Sequence, residues 1–234
     1  MHSRRTTRHT PEPGIGELEP SVWESGPGAE PGLTLHDALT GVHLGTDGQG
    51  RPVTLPALGP HAVRIGVLGE SLFGRLLASR LLAAGAQVTA VTRGPALWSA
   101  LGEAAGGRLV LAEDTGRWPP RTPEPPGVGE GPQALVSDVR RPPPSPRGGG
   151  RWCTTVHVRR QVPKHGAFWH QLDAVLALGA GFADAVAPVC GTDAARTTAR
   201  LAPGEIALFR GAATHVLRPD IAPGETALLT PPPQ

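Results

Sequence analysis

The sequence predicts an α/β protein, a Rossmann-like three-layer sandwich around a mostly parallel sheet. Three observations within residues 63–93 support this fold. The short apolar run Val63–Leu68 and the run 87–92 each have the character of a buried parallel strand. A glycine-containing turn at 69–74 separates the first run from a helical pattern that ends at Gly85. Leucines recur on that pattern at helical spacing, namely Leu72, Leu76, Leu77 and Leu81.

Further elements are predicted on both sides of this βαβ unit. The dipeptide Asp47-Gly48 lies between two β-rich runs, 41–45 and 51–55, and predicts an N-terminal β-hairpin. Pro95 is suited to the first turn of a short helix with Leu97, Trp98 and Leu101 on its apolar face. Additional strands are expected at 109–111, 134–138, 152–158 and 173–178, helices at 182–189 and 192–201, and a terminal hairpin of 206–210 with 214–217.

Proline and glycine mark the expected domain boundaries. The 234 residues include 27 Pro and 32 Gly, and these are clustered. Residues 1–32 are predicted to be a disordered Pro/Gly-rich leader, because they hold too few apolar residues to offset the entropy of an ordered chain. A single α/β domain is expected over 33–230, with Pro-rich loops at 113–133 and 140–150, a helical turn at 33–39 and a tail at 231–234.

Composition excludes several function classes. The net charge of +2 is spread without a long basic block, so no nucleic-acid partner is predicted. Two cysteines, Cys153 and Cys190, cannot build a disulfide framework or a four-thiolate zinc site. Irregular spacing of His157, His165 and His170 favours packing or surface roles over a metal site. The low cysteine content favours a reducing cytoplasm, with peripheral attachment to the inner face of the membrane as an option. No apolar run reaches the length of an integral membrane segment, so a soluble chain is expected.

The turn after the first strand permits a dinucleotide-binding interpretation. Gly69-x-Ser71-x-x-Gly74 approximates the fingerprint in which glycines let backbone amides approach a pyrophosphate at a helix N-terminus. Residues 65–93 resemble the N-terminal segment of NADP-dependent β-hydroxyacid dehydrogenases. That resemblance implies that Arg93, which follows the second strand, could meet the 2′-phosphate of NADP. It also implies an oxidoreductase-like protein. The pattern shows no catalytic lysine arrangement, because Lys164 is the only lysine and lies in a predicted loop.

A second interpretation uses the same residues as a phosphate-binding loop. Gly69, Gly74, Arg75 and Leu76 have the spacing of a Walker A motif, with Arg75 in place of the lysine and Leu76 in place of the magnesium-binding hydroxyl. Leucine cannot bind Mg²⁺, and no strand ends in the paired acids of a Walker B motif. The pattern therefore predicts no hydrolysis.

The order of the parts supports a third interpretation. Gly41-Val42-x-x-Gly45, Arg51-Pro52-Val53, the Gly69-Glu70 turn and the helix end 83–86 resemble the C-terminal soluble domain of EccE proteins of actinobacterial type VII (ESX) secretion. A similar hairpin precedes the P-loop of FtsK/EccC ATPases. The resemblance covers roughly residues 40–112. It implies a soluble accessory protein that acts through protein contacts, including contacts with secretion components, and not through catalysis.

The sequence thus favours a non-enzymatic accessory protein with no cofactor and no catalytic or metal-binding residue. The alternative is a nucleotide-binding protein, with NADP as the cofactor. Its candidate binding residues are Gly69, Ser71, Gly74, Arg75 and Arg93, with Asp114 and Asp138 at the rim. An open groove above Ser71 would favour the alternative, whereas a filled groove or an inward-turned Arg75 would favour the accessory protein.

Overall fold

The computed structural model describes residues 41–116, 118–122, 124–127, 130–144, 150–163 and 166–230. The predicted leader, the helical turn at 33–39 and the tail lie outside these residues, as do Lys164 and His165. Of the loop predicted at 140–150, the structure describes residues 140–144 and 150.

Ten strands form one mixed sheet. They are β1 (Gly41–Asp47), β2 (Pro52–Pro56), β3 (Val63–Leu68), β4 (Gln87–Val91), β5 (Leu109–Ala112), β6 (Gln133–Ser137), β7 (Cys153–Arg159), β8 (Ala174–Ala177), β9 (Ile206–Arg210) and β10 (Ala213–Pro219). Their spatial order is β2-β1-β10-β9-β8-β3-β7-β6-β4-β5. The six strands from β8 to β5 run parallel, and the remaining four pair antiparallel. The predicted α/β class and the β1–β2 hairpin are confirmed.

Helices cover both faces of this sheet, as a three-layer architecture requires. They are α1 (Ser71–Ala83), α2 (Ser99–Ala105), α3 (Ala167–His170), α4 (Ala183–Cys190), α5 (Thr192–Ala199) and α6 (Pro223–Leu229). One face packs against α1, α2 and α6 through a core that includes Ile65, Leu77 and Leu176. The other face packs against α3, α4 and α5 through Leu68, Phe168 and Val186. None of the helices in the described part of the chain has the length and apolar character needed to cross a membrane.

The connection from β3 to β4 skips two strands. In the sequence β3 and β4 flank a single α-helix, α1, yet β7 and β6 lie between them in the sheet. β3 instead pairs with β7 on one side and with β8 on the other. In the classic dinucleotide-binding order the second strand lies directly beside the first. The carboxyl end of β3 therefore has the ends of β7 and β8 as its immediate neighbours.

The sequence pattern correctly predicted the end of α1 but was less reliable about which leucine side chains are buried. Gly85 has φ of +90°, the left-handed conformation predicted for the end of α1. Two leucines predicted to be in the core are exposed, Leu72 by 49% and Leu97 by 43%. Leu72 lies in the first turn of α1, and Leu97 lies in a 3₁₀ turn that precedes α2. Helical spacing across these element starts therefore misassigned both side chains.

The loop that begins after β5 covers part of one face of the sheet. The sequence predicted a long surface excursion at 113–133, and much of it is exposed. Trp118, however, is only 5% exposed and packs against Val91, Leu135 and Cys153. This aromatic anchor covers part of one face of β4 and β6, so the loop closes the sheet at that point.

Candidate functional site

The turn between β3 and α1 contains only two residues. β3 ends at Leu68 and α1 begins at Ser71, so Gly69 and Glu70 form the entire connection. The amide of Gly69 donates a hydrogen bond to the Arg159 carbonyl at 2.8 Å. A Cβ atom at position 69 would lie 2.1 Å from Cδ1 of Leu178, which leaves room for glycine alone. This turn is too short for the six-residue phosphate loop of the Walker A interpretation.

Gly74 and Arg75 belong to the helix and do not line the groove described below. A Cβ on Gly74 would lie 2.9 Å from Cγ2 of Val158, so glycine allows α1 to pack closely on β7. This is the packing role of the third glycine in the dinucleotide fingerprint. Arg75 is turned inward, only 6% exposed, and its Nη1 donates to the Leu97 carbonyl at 2.6 Å. Burial lowers the pKa of Arg75, and the charge of Asp138 partly offsets that effect.

An open groove of about 440 Å³ lies at the carboxyl ends of β3, β4, β6 and β7. We refer to it as the arginine groove. Its lining residues are Gly69, Ser71, Arg93, Asp138, Arg140, Val158, Arg159, Arg160 and Gln161. Three of the five predicted binding residues, Gly69, Ser71 and Arg93, therefore meet in one cavity, together with the predicted rim residue Asp138. The other predicted rim residue, Asp114, lines a separate cavity beside β5.

Asp138 connects three parts of the arginine groove. One carboxylate oxygen, Oδ2, accepts a hydrogen bond from the Ser71 hydroxyl and another, of 3.1 Å, from the Thr92 hydroxyl. The Thr92 oxygen in turn accepts from the Gly94 amide at 3.1 Å, on the far side of Arg93. The second oxygen, Oδ1, is buried and has no hydrogen-bond partner. Asp138 thus holds the start of α1 and the loop that carries Arg93 in one arrangement.

Positive charge is concentrated in the arginine groove. Its described lining contains the guanidinium groups of Arg93, Arg140, Arg159 and Arg160 against the single carboxylate of Asp138. Burial lowers the pKa of Arg159, and the nearby charge of Arg140 lowers it further. Arg159 also donates to the Arg140 carbonyl at 3.0 Å, which keeps the two residues together. Such repulsion between neighbouring cations is relieved by an anion that both can bind.

A buried histidine lies just below the arginine groove but adds no charge to it. His157 is fully buried on β7 and packs its ring against Phe168 and Trp169, with centroids 5.4 and 5.7 Å away. Burial and the charge of Arg159 lower the pKa of His157 to about 4, despite an opposing effect of the Ser137 backbone. Neither ring nitrogen completes a hydrogen bond. Among the described residues no group of His, Cys, Asp and Glu could hold a metal ion.

Sequence reasoning missed five polar residues of this site, namely Thr92, Arg140, Arg159, Arg160 and Gln161. Each lies at or just after the end of β4, β6 or β7, and that position was the available signal. Ligands of parallel α/β sheets bind at the carboxyl ends of the strands, so basic residues there are candidates. Which strand ends meet is fixed by the strand order, which the sequence did not reveal.

Comparison with solved structures finds matches over about 70% of this chain. The DNA-packaging ATPase B204 from Sulfolobus turreted icosahedral virus matches with a TM-score of 0.48 and 11% identity, over 70% of this chain and 100% of that chain. The genome-packaging NTPase B204 from Sulfolobus turreted icosahedral virus 2, in complex with AMPPCP, has a TM-score of 0.49 and 9% identity, over 69% and 100% of the two chains. No protein-family model and no curated protein matches this chain.

These findings correct the family prediction. The matched structures are viral NTPases and not EccE-like secretion proteins, so the predicted type VII secretion resemblance is wrong. The predicted non-catalytic accessory role and the prediction against an enzyme are contradicted with it: the descriptions of the matched proteins name ATPases or NTPases, an activity stated of those proteins and not of this chain. A likeness at about 10% identity concerns the fold alone. The residues of the arginine groove therefore have to indicate the function.

Proposed function

We propose that this protein binds the phosphate groups of a nucleotide in the arginine groove. The observation that carries this proposal is the set of four arginines around the two-residue Gly69-Glu70 turn, opposed by the Asp138 carboxylate in the lining and by Glu70, which pairs with Arg160. Guanidinium groups present paired N–H donors that match phosphate oxygens, so several arginines together favour a ligand with more than one negative charge.

The start of α1 contributes further donors. The helix has 13 residues, and the side chain of its N-terminal capping residue, Glu70, makes no capping hydrogen bond. Glu70 instead pairs with Arg160, and both side chains are more than half exposed. Backbone N–H groups in the first turn of a helix carry partial positive charge and bind phosphate. The Ser71 hydroxyl and the arginines thus surround the same space as these backbone donors.

The strand order favours a mononucleotide over NADP. Adjacent strands lie about 4.8 Å apart, so the skipped strands place the end of β4 roughly 14 Å from the end of β3 along the sheet. Arg159, at the end of β7, occupies the neighbouring position that the second strand holds in the dinucleotide fold. Arg93 still lines the arginine groove, but from its far side, where it can bind the same phosphate chain as Arg159.

Calorimetry on the full chain with ATP, ADP and NADPH tests this proposal. We expect saturable binding of ATP, and a loss of about tenfold or more in affinity for Arg159→Gln, because a hydrogen bond to a charged group contributes about 1.5–3 kcal/mol. Arg210→Gln is the matched control, since Arg210 is an exposed arginine at the end of β9 and lines no part of the groove. β9 runs antiparallel to β8, so Arg210 lies at the opposite edge of the sheet.

Each outcome is decisive. The proposal fails if none of the three ligands binds saturably, or if Arg210→Gln weakens binding as much as Arg159→Gln does. Tighter binding of NADPH than of ATP would instead support the dinucleotide alternative, with Arg93→Gln as the next variant. Release of inorganic phosphate from ATP is measured in the same samples, and shows whether the bound nucleotide is hydrolysed.

A further inference from the structure

A second cavity adjoins the arginine groove on the other side of the β3–α1 turn. It measures about 640 Å³, and its apolar lining residues include Phe73, Leu178, Leu201, Pro203, Ile206 and Ile221. We refer to it as the apolar pocket. The two cavities share a wall, because Gly69 lines the groove and its Cα packs directly against the Leu178 side chain.

The start of α1 lies between the two cavities. Ser71 lines the arginine groove and Phe73 lines the apolar pocket, and residues two apart on a helix project to different sides. Likewise Arg159 ends β7 and Leu178 follows β8, the two strands that flank β3. Two strand spacings separate these ends by roughly 10 Å. The sugar of a nucleotide, with its first phosphate, can bridge such a distance.

We propose that the apolar pocket receives the heteroaromatic base of the nucleotide whose phosphates occupy the arginine groove. This inference rests on the proposed function and extends it to the orientation of the ligand. Ligand pockets combine mostly apolar walls with a few polar groups, and a planar base suits such walls. A ligand that is highly charged at one end and aromatic at the other matches the contrast between the two adjoining cavities.

Glu205 fixes the direction in which the ligand lies. It is the one ionisable residue in the described lining of the apolar pocket, and its Oε2 accepts a hydrogen bond from the Ala202 amide at 2.9 Å. Its carboxylate also pairs with the exposed guanidinium of Arg218 at 3.9 Å, and the negative charge that remains disfavours phosphate, whereas the arginines on the other side of Gly69 attract it. A carboxylate can also accept a hydrogen bond from an amino group on a base. The phosphate chain therefore points toward β7 and the base toward β8.

The test compares ATP with tripolyphosphate, which has a chain of three phosphates but neither sugar nor base, and the pocket variants then assign any difference to the base. Calorimetry is performed on the full chain and on Ile221→Asn, which replaces a 51% exposed apolar side chain of the pocket. Leu111→Asn is the matched control, since Leu111 is a 42% exposed apolar residue of β5 that lines neither cavity. Ala202→Trp is a second variant that blocks the pocket with a bulky ring at an exposed position.

We expect ATP to bind more tightly than tripolyphosphate, and we expect this advantage to fall by about fivefold in Ile221→Asn and further in Ala202→Trp. Affinity for tripolyphosphate should stay unchanged in both variants and in Leu111→Asn. Equal affinity for the two ligands in the unmodified protein, or an ATP advantage that survives both pocket variants, would overturn the inference while leaving phosphate binding intact. Failure of both ligands to bind would instead overturn the proposed function on which it rests.

Discussion

The hydroxyl of Ser71 donates a hydrogen bond to the carboxylate of Asp138, and this contact joins the first residue of α1 to the end of β6. Because Thr92 donates to the same oxygen, we expect Asp138→Ala to lower the free energy of unfolding by about 2 kcal/mol. The loss arises from two hydroxyls left without their acceptor and from repulsion among the arginines. Urea unfolding followed by circular dichroism measures it.

Asp114→Ala provides the comparison for that variant. Asp114 also follows a strand, but it is exposed, and it accepts one local hydrogen bond, from the Gly116 amide at 2.8 Å. We expect its replacement to change the free energy of unfolding by no more than about 0.5–1 kcal/mol. Equal losses in the two variants would show that the Asp138 contacts have no special importance.

Gly74 is expected to be required for packing rather than for contact with a ligand. In Gly74→Ala the new methyl group would lie 2.9 Å from Val158 Cγ2, so α1 has to move away from β7. We expect a loss of about 1–3 kcal/mol in thermal or urea unfolding. Gly102→Ala, in α2, places its methyl group in open space and should stabilise the protein by up to about 1 kcal/mol. Destabilisation of both variants to the same extent would refute the packing explanation.

The buried ring of His157 should make stability fall at acidic pH. Its pKa is about 4 in the folded protein against an ordinary value of 6.5, so between these values the unfolded chain binds a proton that the folded chain does not. Stability is therefore retained above pH 6.5 and lost as the pH falls toward 4, by about 3 kcal/mol in total. Urea midpoints measured from pH 7 to pH 4 should show a shallower decline in His157→Leu than in the unmodified protein. Parallel declines would exclude His157 as the cause.

Arg80 should be among the most sensitive charged positions. Its side chain forms an ion pair of 2.6 Å with Glu225 and also donates to the carbonyls of His43 and Leu44. The side-chain exposures of Arg80 and Glu225 are only 11% and 19%. Removing one member leaves the other charge partly buried, so we expect Arg80→Met to cost about 3 kcal/mol of unfolding free energy.

Two further variants separate the Arg80 ion pair from a general effect of charge. Arg80→Met combined with Glu225→Leu should recover part of the loss, because no unpaired carboxylate remains. Arg51→Met removes an arginine that is 68% exposed in its pair with Asp47, and should cost less than about 1 kcal/mol. No recovery in the double variant would assign the loss to the carbonyl contacts instead.

Prediction from the sequence succeeded where the determining contacts are local. The turn at Gly69, helix α1 and the left-handed Gly85 depend on neighbours a few residues away, and all were identified. Asp138 was placed at the rim because it follows an apolar run. Its contact with Ser71 spans 67 residues, and nothing in either segment encodes that pairing.

The missed features have the same physical origin. Arg159 reaches the β3–α1 turn only because β7 inserts beside β3, a choice made by the whole sheet. Helix α6 was overlooked because it is only seven residues long, although Pro223 in its first turn and the Glu225 side chain bonded to the Ala222 amide indicate its start. The spacing of Gly74 and Arg75 fits a phosphate-loop pattern. Because α1 already begins at Ser71, both residues lie within the helix and do not line the arginine groove.

The insertion of β7 and β6 between β3 and β4 also determines when the sheet can form during folding. Val63 of β3 pairs with Thr154, and Val88 of β4 pairs with Ala134, so β3 and the side of β4 that faces it wait for partners far along the chain, while β4 can pair earlier only with β5. A growing polypeptide that ends before residue 133 contains the Gly69-Glu70 turn but lacks β6 and β7, the strands that lie between β3 and β4. Parallel pairings of such long sequence separation form slowly. The arginine groove therefore arises as a late product of sheet closure, and no shortened fragment that ends before β7 can contain it.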